Sequence, residues 1–201
     1  MRKEKYLNIS RYRLRKIFNI SDEEWTYLTK NIEYKEYKKG TILTNLNEVE
    51  DSLYILLNGY VRFYFNSNGN NYTISYVEPN SIMNNLESFI KQEPSKFIIE
   101  ATTDIHIFEI SHKNIMQSYE RSHTAERLGR IFVERGLIRR FNREVAMQCK
   151  NAKERYADLL NEHPILVKNI SQKDIAAFIC ITPESFSRLK KQIKKDDNKT
   201  K

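Results

Sequence analysis

The hydrophobic period of this chain switches to that of strands near residue 32 and back to that of helices near residue 110. Those changes limit the fold more than any other feature. From Ile32 to Ile110, short runs of β-branched and aromatic residues are broken by Gly, Asn, Pro and Asp. Tyr34–Tyr37 precedes a turn at Lys39-Gly40. Leu53–Leu57 runs into Asn58-Gly59, the strongest short hairpin signal in the chain. Tyr60–Phe65, a polar loop at 66–71, Tyr72–Val77, Phe97–Ala101 and Ile105–Ile110 complete the set. Short strands at this spacing predict a compact antiparallel roll or barrel. After residue 112 the apolar residues recur at helical spacing. The expected class is therefore α+β, with a β-roll first and helices after it.

Ahead of the roll, residues 10–31 read as helical. Ser21 and Glu24 form a capping box before Trp25, Leu28 and Ile32, which share one face. The basic segment 1–20 reads as an arm or as a packed helix with a solvated face.

Residues 112–150 predict a long helix. Ile131, Ile138 and Val145 recur every seven residues, flanked by Leu128 and Phe141. Phe132 and Leu137 add apolar surface off that stripe. One neighbour cannot bury both faces, so a second subunit is expected. Leu128, Ile131, Phe132, Ile138, Phe141 and Val145 are the candidate dimerisation residues. Arg139, Arg140 and Arg143 fall on the remaining surface. Gly136 weakens the helix by about 1 kcal/mol relative to Ala. A further helix, Ala152–Asn161, ends at His163-Pro164, and 165–170 leads into the next motif.

That motif is Ser171–Lys191, SQKDIAAFICITPESFSRLKK. Ser171 with Asp174 resembles a capping box, with Asp for the usual Glu. Ile175, Ala176 and Ile179 form an apolar face, and Ile179-Cys180-Ile181 is a sharp turn. Thr182 suits an N-cap, Pro183 the first helical position, and Glu184 the positive end of the helix dipole. Phe186 and Leu189 turn inward. Gln172, Pro183, Glu184, Ser185, Ser187, Arg188 and Lys191 are left to meet double-stranded DNA, as a helix in the major groove requires.

The charge agrees with that placement. The chain's net charge is +8. Residues 1–20 carry +6, residues 21–120 carry −7, and residues 121–201 carry +9. The excess accompanies the helix-turn-helix, as phosphate attraction requires. No stretch approaches the roughly 18 apolar residues of a membrane helix, and the N-terminus lacks an apolar signal region, so a cytoplasmic protein without membrane contact is expected. Cys149 and Cys180 have no metal-ligand spacing. No catalytic set, phosphate loop or metal cluster is visible, so no cofactor and no enzyme activity are expected. The isolated histidines, His106, His112, His123 and His163, read as core or surface residues.

The order of these parts, KKGTIL…DSLYILLNGYVRFYF…NG, a long helix, then DIAAFICITPESFSRLKK, resembles the cyclic-AMP receptor protein/FNR (Crp/Fnr) family of bacterial transcription regulators. The resemblance covers about residues 20–195 and is most specific over Asp174–Lys191. There it is similar to the subgroup pattern "dIAsyLGITpeSlSRirk", through Ile175, Ala176, Ile181, Thr182, Pro183, Glu184, Ser185, Ser187 and Arg188. It implies a homodimer through the long helix, reading a palindromic operator, with RNA polymerase as a candidate protein partner. The implied division is a basic segment 1–20, a cyclic-nucleotide-binding-like sensor 21–120 of jelly-roll type, a dimerisation helix 121–150 and a DNA-binding domain 151–201. In many members an Arg precedes the Glu of the recognition helix. Here Pro183 stands there, so one base contact is lost and the operator should differ. The turn glycine is Cys180, which reads as structural tolerance or as a redox-sensing thiol. A glycine before the second roll strand is Asn47. The usual wing has no room in the polar tail after Lys191.

The resemblance also places an effector pocket at Asn84, Asn85, Leu86, Glu87, Ser88, Ser95 and Lys96. Cyclic-nucleotide binders carry Gly-Glu where Asn84-Asn85 stand and Arg-Ser where Ser95-Lys96 stand. Lys96 lacks the fork that suits phosphate, and Glu87 is two residues late, roughly 200° around a helix. Cyclic AMP is therefore not the expected ligand. Either a different small-molecule effector or a closed, empty roll remains. The competing function is a regulatory module acting through protein partners without specific DNA readout.

Overall fold

The most apolar run of the first half becomes a strand buried on both faces. In the computed structural model, which describes residues 2–15, 20–67 and 69–199, Tyr54 and Leu56 join Val61, Ile99, Ile105 and Ile107 in the main core. On the opposite face Leu57 packs with Ile32 and Phe108, and Leu53 with Phe89 and Ile115. Covering both faces of one strand explains why SLYILL does not alternate with polar residues.

Among the described residues eight strands are formed: β1 (Glu33–Tyr37), β2 (Ile42–Thr44), β3 (Ser52–Asn58), β4 (Val61–Ser67), β5 (Asn70–Val77), β6 (Ser81–Met83), β7 (Ile98–Ala101) and β8 (Ile105–Ser111). One sheet has the order β1-β8-β3-β6 and the other β2-β7-β4-β5. The pairs β1–β8, β2–β7, β3–β6, β3–β8 and β4–β7 are antiparallel. Because β3 and β4 lie in different sheets, Asn58-Gly59 is not the hairpin turn that its sequence announces. It is a corner between sheets. Gly59 has φ +83°, and a Cβ there would lie 2.4 Å from the Asp104 carbonyl oxygen, so the glycine serves close approach as well as turning. β2 and β6, each three residues long, were too short to read from the sequence.

The expected helix over 10–31 is two helices, α1 (Arg2–Arg15) and α2 (Asp22–Thr29); its positions 16–19 lie outside the described residues. The Ser21–Glu24 capping box is present in both directions. α1 is a packed helix. Tyr6 and Leu7 lie against the Ile32–Phe108 cluster, Tyr6 stacks on Tyr34 with ring centroids 6.0 Å apart, and Lys3 Nζ donates to the Ile32 carbonyl at 2.8 Å.

A short helix, α3 (Leu86–Lys91), interrupts the strands, and α4 (His112–Arg121) and α5 (His123–Cys149) follow them. Among the described residues, no helix is long and apolar enough to cross a membrane. The chain divides into two compact units, Met1–Phe65 with Tyr76–Glu134, and Asn66–Ser75 with Arg135–Lys201.

The second unit contains α6 (Ala152–Glu162), α7 (Pro164–Asn169), α8 (Gln172–Phe178) and α9 (Pro183–Lys199). α7, read from the sequence as a connection, starts on Pro164 at its first turn, which needs no N–H there. Leu159, Leu166, Ile175, Ala176, Ile179 and Phe186 are buried, and Tyr156 meets Phe186 edge-on at 5.0 Å. The polar tail after Lys191 continues α9 to Lys199. Among the described residues no strand follows Ser111, so no wing hairpin is formed.

Candidate functional site

α8, the turn and α9 are built from local signals. Ser171 Oγ accepts from the Asp174 N–H at 3.1 Å. The return bond expected of a capping box is different: Asp174 accepts from the Ser171 hydroxyl at 2.6 Å. Asp is one methylene shorter than Glu. Thr182 Oγ1 accepts from the Ser185 N–H at 3.2 Å, which caps α9.

The last carbonyls of α8 can be followed one by one. Ile179 N–H donates to Ile175 O, Cys180 N–H to Ala177 O, and Ile181 N–H to Ala176 O. The last two form a Schellman end, with Cys180 at the position usually held by glycine. Its φ is +56°. That leaves the carbonyls of Phe178 and Ile179. Arg143 of α5 donates to the first at 2.8 Å and lays its guanidinium 4.4 Å from the Phe178 ring centroid. Arg155 of α6 donates to the second through Nε at 3.0 Å. Two cations thus finish a helix C-terminus, where the dipole favours them. Arg143, expected on open surface, is instead held there. Burial pushes its pKa down, the nearby Arg155 adds to that, and Cys180 acts in the opposite sense. Sequence reasoning missed Arg155 altogether, because its partner is a main-chain atom 24 residues away.

A left-handed residue with a Cβ costs about 1 kcal/mol or more. Replacing Cys180→Gly should therefore raise stability by about 1 kcal/mol, a few degrees in a thermal melt. An unchanged or lower midpoint would show that the thiol compensates for the backbone strain. Cys180 and Cys149 are both free and exposed.

On α9, Glu184, Ser187, Arg188 and Lys191 are exposed, as are Lys194 and Lys195. Pro183 and Gln172 are exposed beside them, whereas Ser185 is half-buried and tied to the cap. Among the described residues no ion pair joins Arg188 to Glu184. The Glu184 carboxyl is held below the usual range by its own backbone N–H, then by Thr182, with a contribution from the Arg188 charge. It is an ionised acceptor at neutral pH.

The predicted effector residues do not stay together. Glu87 and Lys96 leave the interior and pair with each other at 2.8 Å, and Lys91 joins Glu87 at 3.2 Å. Leu86 is exposed. Asn85, Ser88 and Ser95 are buried. Asn85 Nδ2 donates to Ser95 Oγ at 2.6 Å, and Asn85 Oδ1 caps α3 by accepting from Ser88 N–H at 3.3 Å. Asn84 is also buried, with neither amide atom bonded. It lines a largely apolar cleft of about 360 Å³ with Leu53, Phe89, Met116, Tyr119 and Phe132 among others. Phe132, expected at a subunit interface, therefore packs within its own unit beside Leu53 and Phe89.

At the centre of the buried cluster is a residue that sequence reasoning passed over. Glu50, 1% exposed, accepts from Thr44 Oγ1 at 2.6 Å, Ser52 N–H at 3.2 Å, Asn85 N–H at 3.3 Å and Tyr54 OH at 3.3 Å. Its own N–H donates to Ser88 Oγ at 2.9 Å. Burial raises its pKa while these donors draw it back. Its neighbours in sequence, Val49 and Asp51, gave no sign of this role. Asn47 takes φ +65°, the left-handed conformation that Asn tolerates.

Comparison with known proteins agrees with this architecture. The family model described as Cyclic nucleotide-binding domain matches residues 34–122. Among solved structures, FixK2 from Bradyrhizobium japonicum is similar at TM-score 0.72 and 18% identity, over 83% of this chain and 86% of that one. The regulator CLP from Xanthomonas campestris, described as c-di-GMP responsive, gives TM-score 0.69 at 14% identity, over 85% and 90%. A putative transcriptional regulator of the Crp/Fnr family from Eubacterium rectale gives 0.69 at 18%, over 88% and 85%. No curated protein matches by sequence. Residues 34–122 are thus matched to the cyclic nucleotide-binding domain family, in a chain that shares its α+β fold with Crp/Fnr regulators.

Proposed function

We propose that this chain is a sequence-specific DNA-binding transcription regulator. It acts as a homodimer on a palindromic operator, and its roll does not take cyclic AMP. The observation that carries the reading is α9. It is a well-capped helix whose exposed face presents Glu184, Ser187, Arg188 and Lys191, with the excess positive charge of the chain around it. Arg suits the O6 and N7 of guanine, Glu the amine of cytosine, and lysines further along the helix suit phosphates. Nothing in the buried cluster suits catalysis: its carboxylate is held by donors on all sides. Selecting bound sequences from a random duplex pool tests the reading. A two-fold symmetric site is expected, with affinity falling steeply as salt rises. Recovery of no preferred sequence would favour the competing reading, a module that acts through proteins.

For the roll, the observation is the exchange of an anion-binding fork for the Asn85–Ser95 bond and the outward Glu87–Lys96 pair. Millimolar cyclic AMP should leave the melting midpoint unchanged. A ligand at a hundred times its Kd adds about 2.7 kcal/mol, a shift of several degrees. A clear shift would contradict this account of the roll.

A further inference from the structure

We propose that Glu50 is the roll's own anionic ligand: its carboxylate fills an oxyanion site built by Thr44, Ser52, Tyr54 and Asn85, in place of an anion from solution. The proposal builds on the reading of the roll as one that takes no cyclic AMP.

Three observations support it. The first is the donor set. Two hydroxyls and two main-chain N–H groups converge on the two carboxylate oxygens at 2.6–3.3 Å. They come from separate elements: Thr44 from β2, Ser52 and Tyr54 from β3, and Asn85 from the residue before α3. Neutral donors arranged around an oxyanion are how proteins hold small anions without a cation. The second is the lack of a cation. Among the described residues no lysine, arginine or histidine bonds to or pairs with Glu50, so a simple buried ion pair is not the explanation. The third is where the buried polar side chains lie. Among the described residues, Thr44, Glu50, Ser52, Asn84, Asn85, Ser88 and Ser95 account for all of them except Thr73. A β-roll core that served only stability would be expected to be apolar here, since each buried polar group must find a partner.

Because Glu50 is covalently part of the chain, its effective concentration in the site does not depend on the solution. β2, β3 and the start of α3 are tied through one carboxylate, and no diffusing anion is needed to join them. The site becomes accessible to a free anion only when the side chain is removed.

The test uses the full chain with Glu50→Ala, with acetate and formate as probes and chloride at equal ionic strength as control. Thermal melting is the readout. The variant should melt below the parent. Acetate and formate should restore its midpoint by several degrees, saturating in the millimolar range. Chloride should not, and the parent should respond to none of them. A folded variant with no saturable recovery overturns the proposal. Should Glu50→Ala fail to fold, the parent itself supplies the test. With ¹³C-labelled glutamate, the Glu50 carboxyl resonance should report an ionised group at neutral pH. A carboxyl that stays protonated up to pH 8 overturns the proposal. Neither measurement uses DNA. Recovery by acetate in a chain that binds no operator would therefore support the anion site and reject the regulator reading separately.

Discussion

Ile138→Asp should turn a dimer into a single chain of 24.0 kDa. The C-terminal half of α5 leaves Leu137 (67% exposed), Ile138 (59%) and Phe141 (64%) open, with Val145 half-exposed beyond them. Burying such side chains contributes about 1.5–3 kcal/mol each, and two-fold pairing would cover them twice. A carboxylate facing its symmetry mate in the resulting seam costs several kcal/mol, since neither charge has a partner. Because position 138 is exposed in the single chain, the variant should keep its helix content and its own core. Light scattering at micromolar concentration decides the matter. The parent should show twice the chain mass and the variant the chain mass. A parent that already scatters as one chain would remove the dimer from the proposal.

Arg188→Ala should cost roughly 1–3 kcal/mol per half-site on the selected operator, 5- to 150-fold for each, and much less on random duplex. The side chain is exposed on α9, and among the described residues it has no ion-pair partner that would hold it away from a base. Lys191→Ala should act differently. It should weaken all sequences alike and flatten the dependence of log affinity on log salt by about one per half-site. The ratio of operator to random affinity separates the two roles. If Arg188→Ala leaves that ratio unchanged in a folded dimer, the assignment of α9 as the reading helix fails.

What could be read in the sequence was what local chemistry decides. The Ser21–Glu24 box, the Thr182 cap and the alternation of helix and strand periods each depend on residues within a few positions of one another. What escaped depended on distant partners. Asn58-Gly59 looks like a hairpin turn because the dipeptide specifies a left-handed residue, but it cannot say which sheet the next strand will join. Phe132 looked spare because the wall that takes it, Leu53 and Phe89, lies 79 and 43 positions back along the chain. Glu50 reads as one more acidic residue in an acidic stretch until Thr44, Tyr54 and Asn85 close around it.

The arginines at the end of α8 have a consequence for how such a protein can change its target. Arg143 and Arg155 grip carbonyl oxygens, which every residue carries whatever its side chain. The hold on the turn is therefore indifferent to most substitutions in α8 and α9; only the stacking of Arg143 on Phe178 depends on a particular side chain. The side chains proposed to read bases and the atoms that fasten the turn are separate sets. Under the proposed reading, new operator preferences can accumulate along the exposed face of α9 while the fastening stays intact, so the proposed recognition surface is free to diverge faster than the frame that carries it.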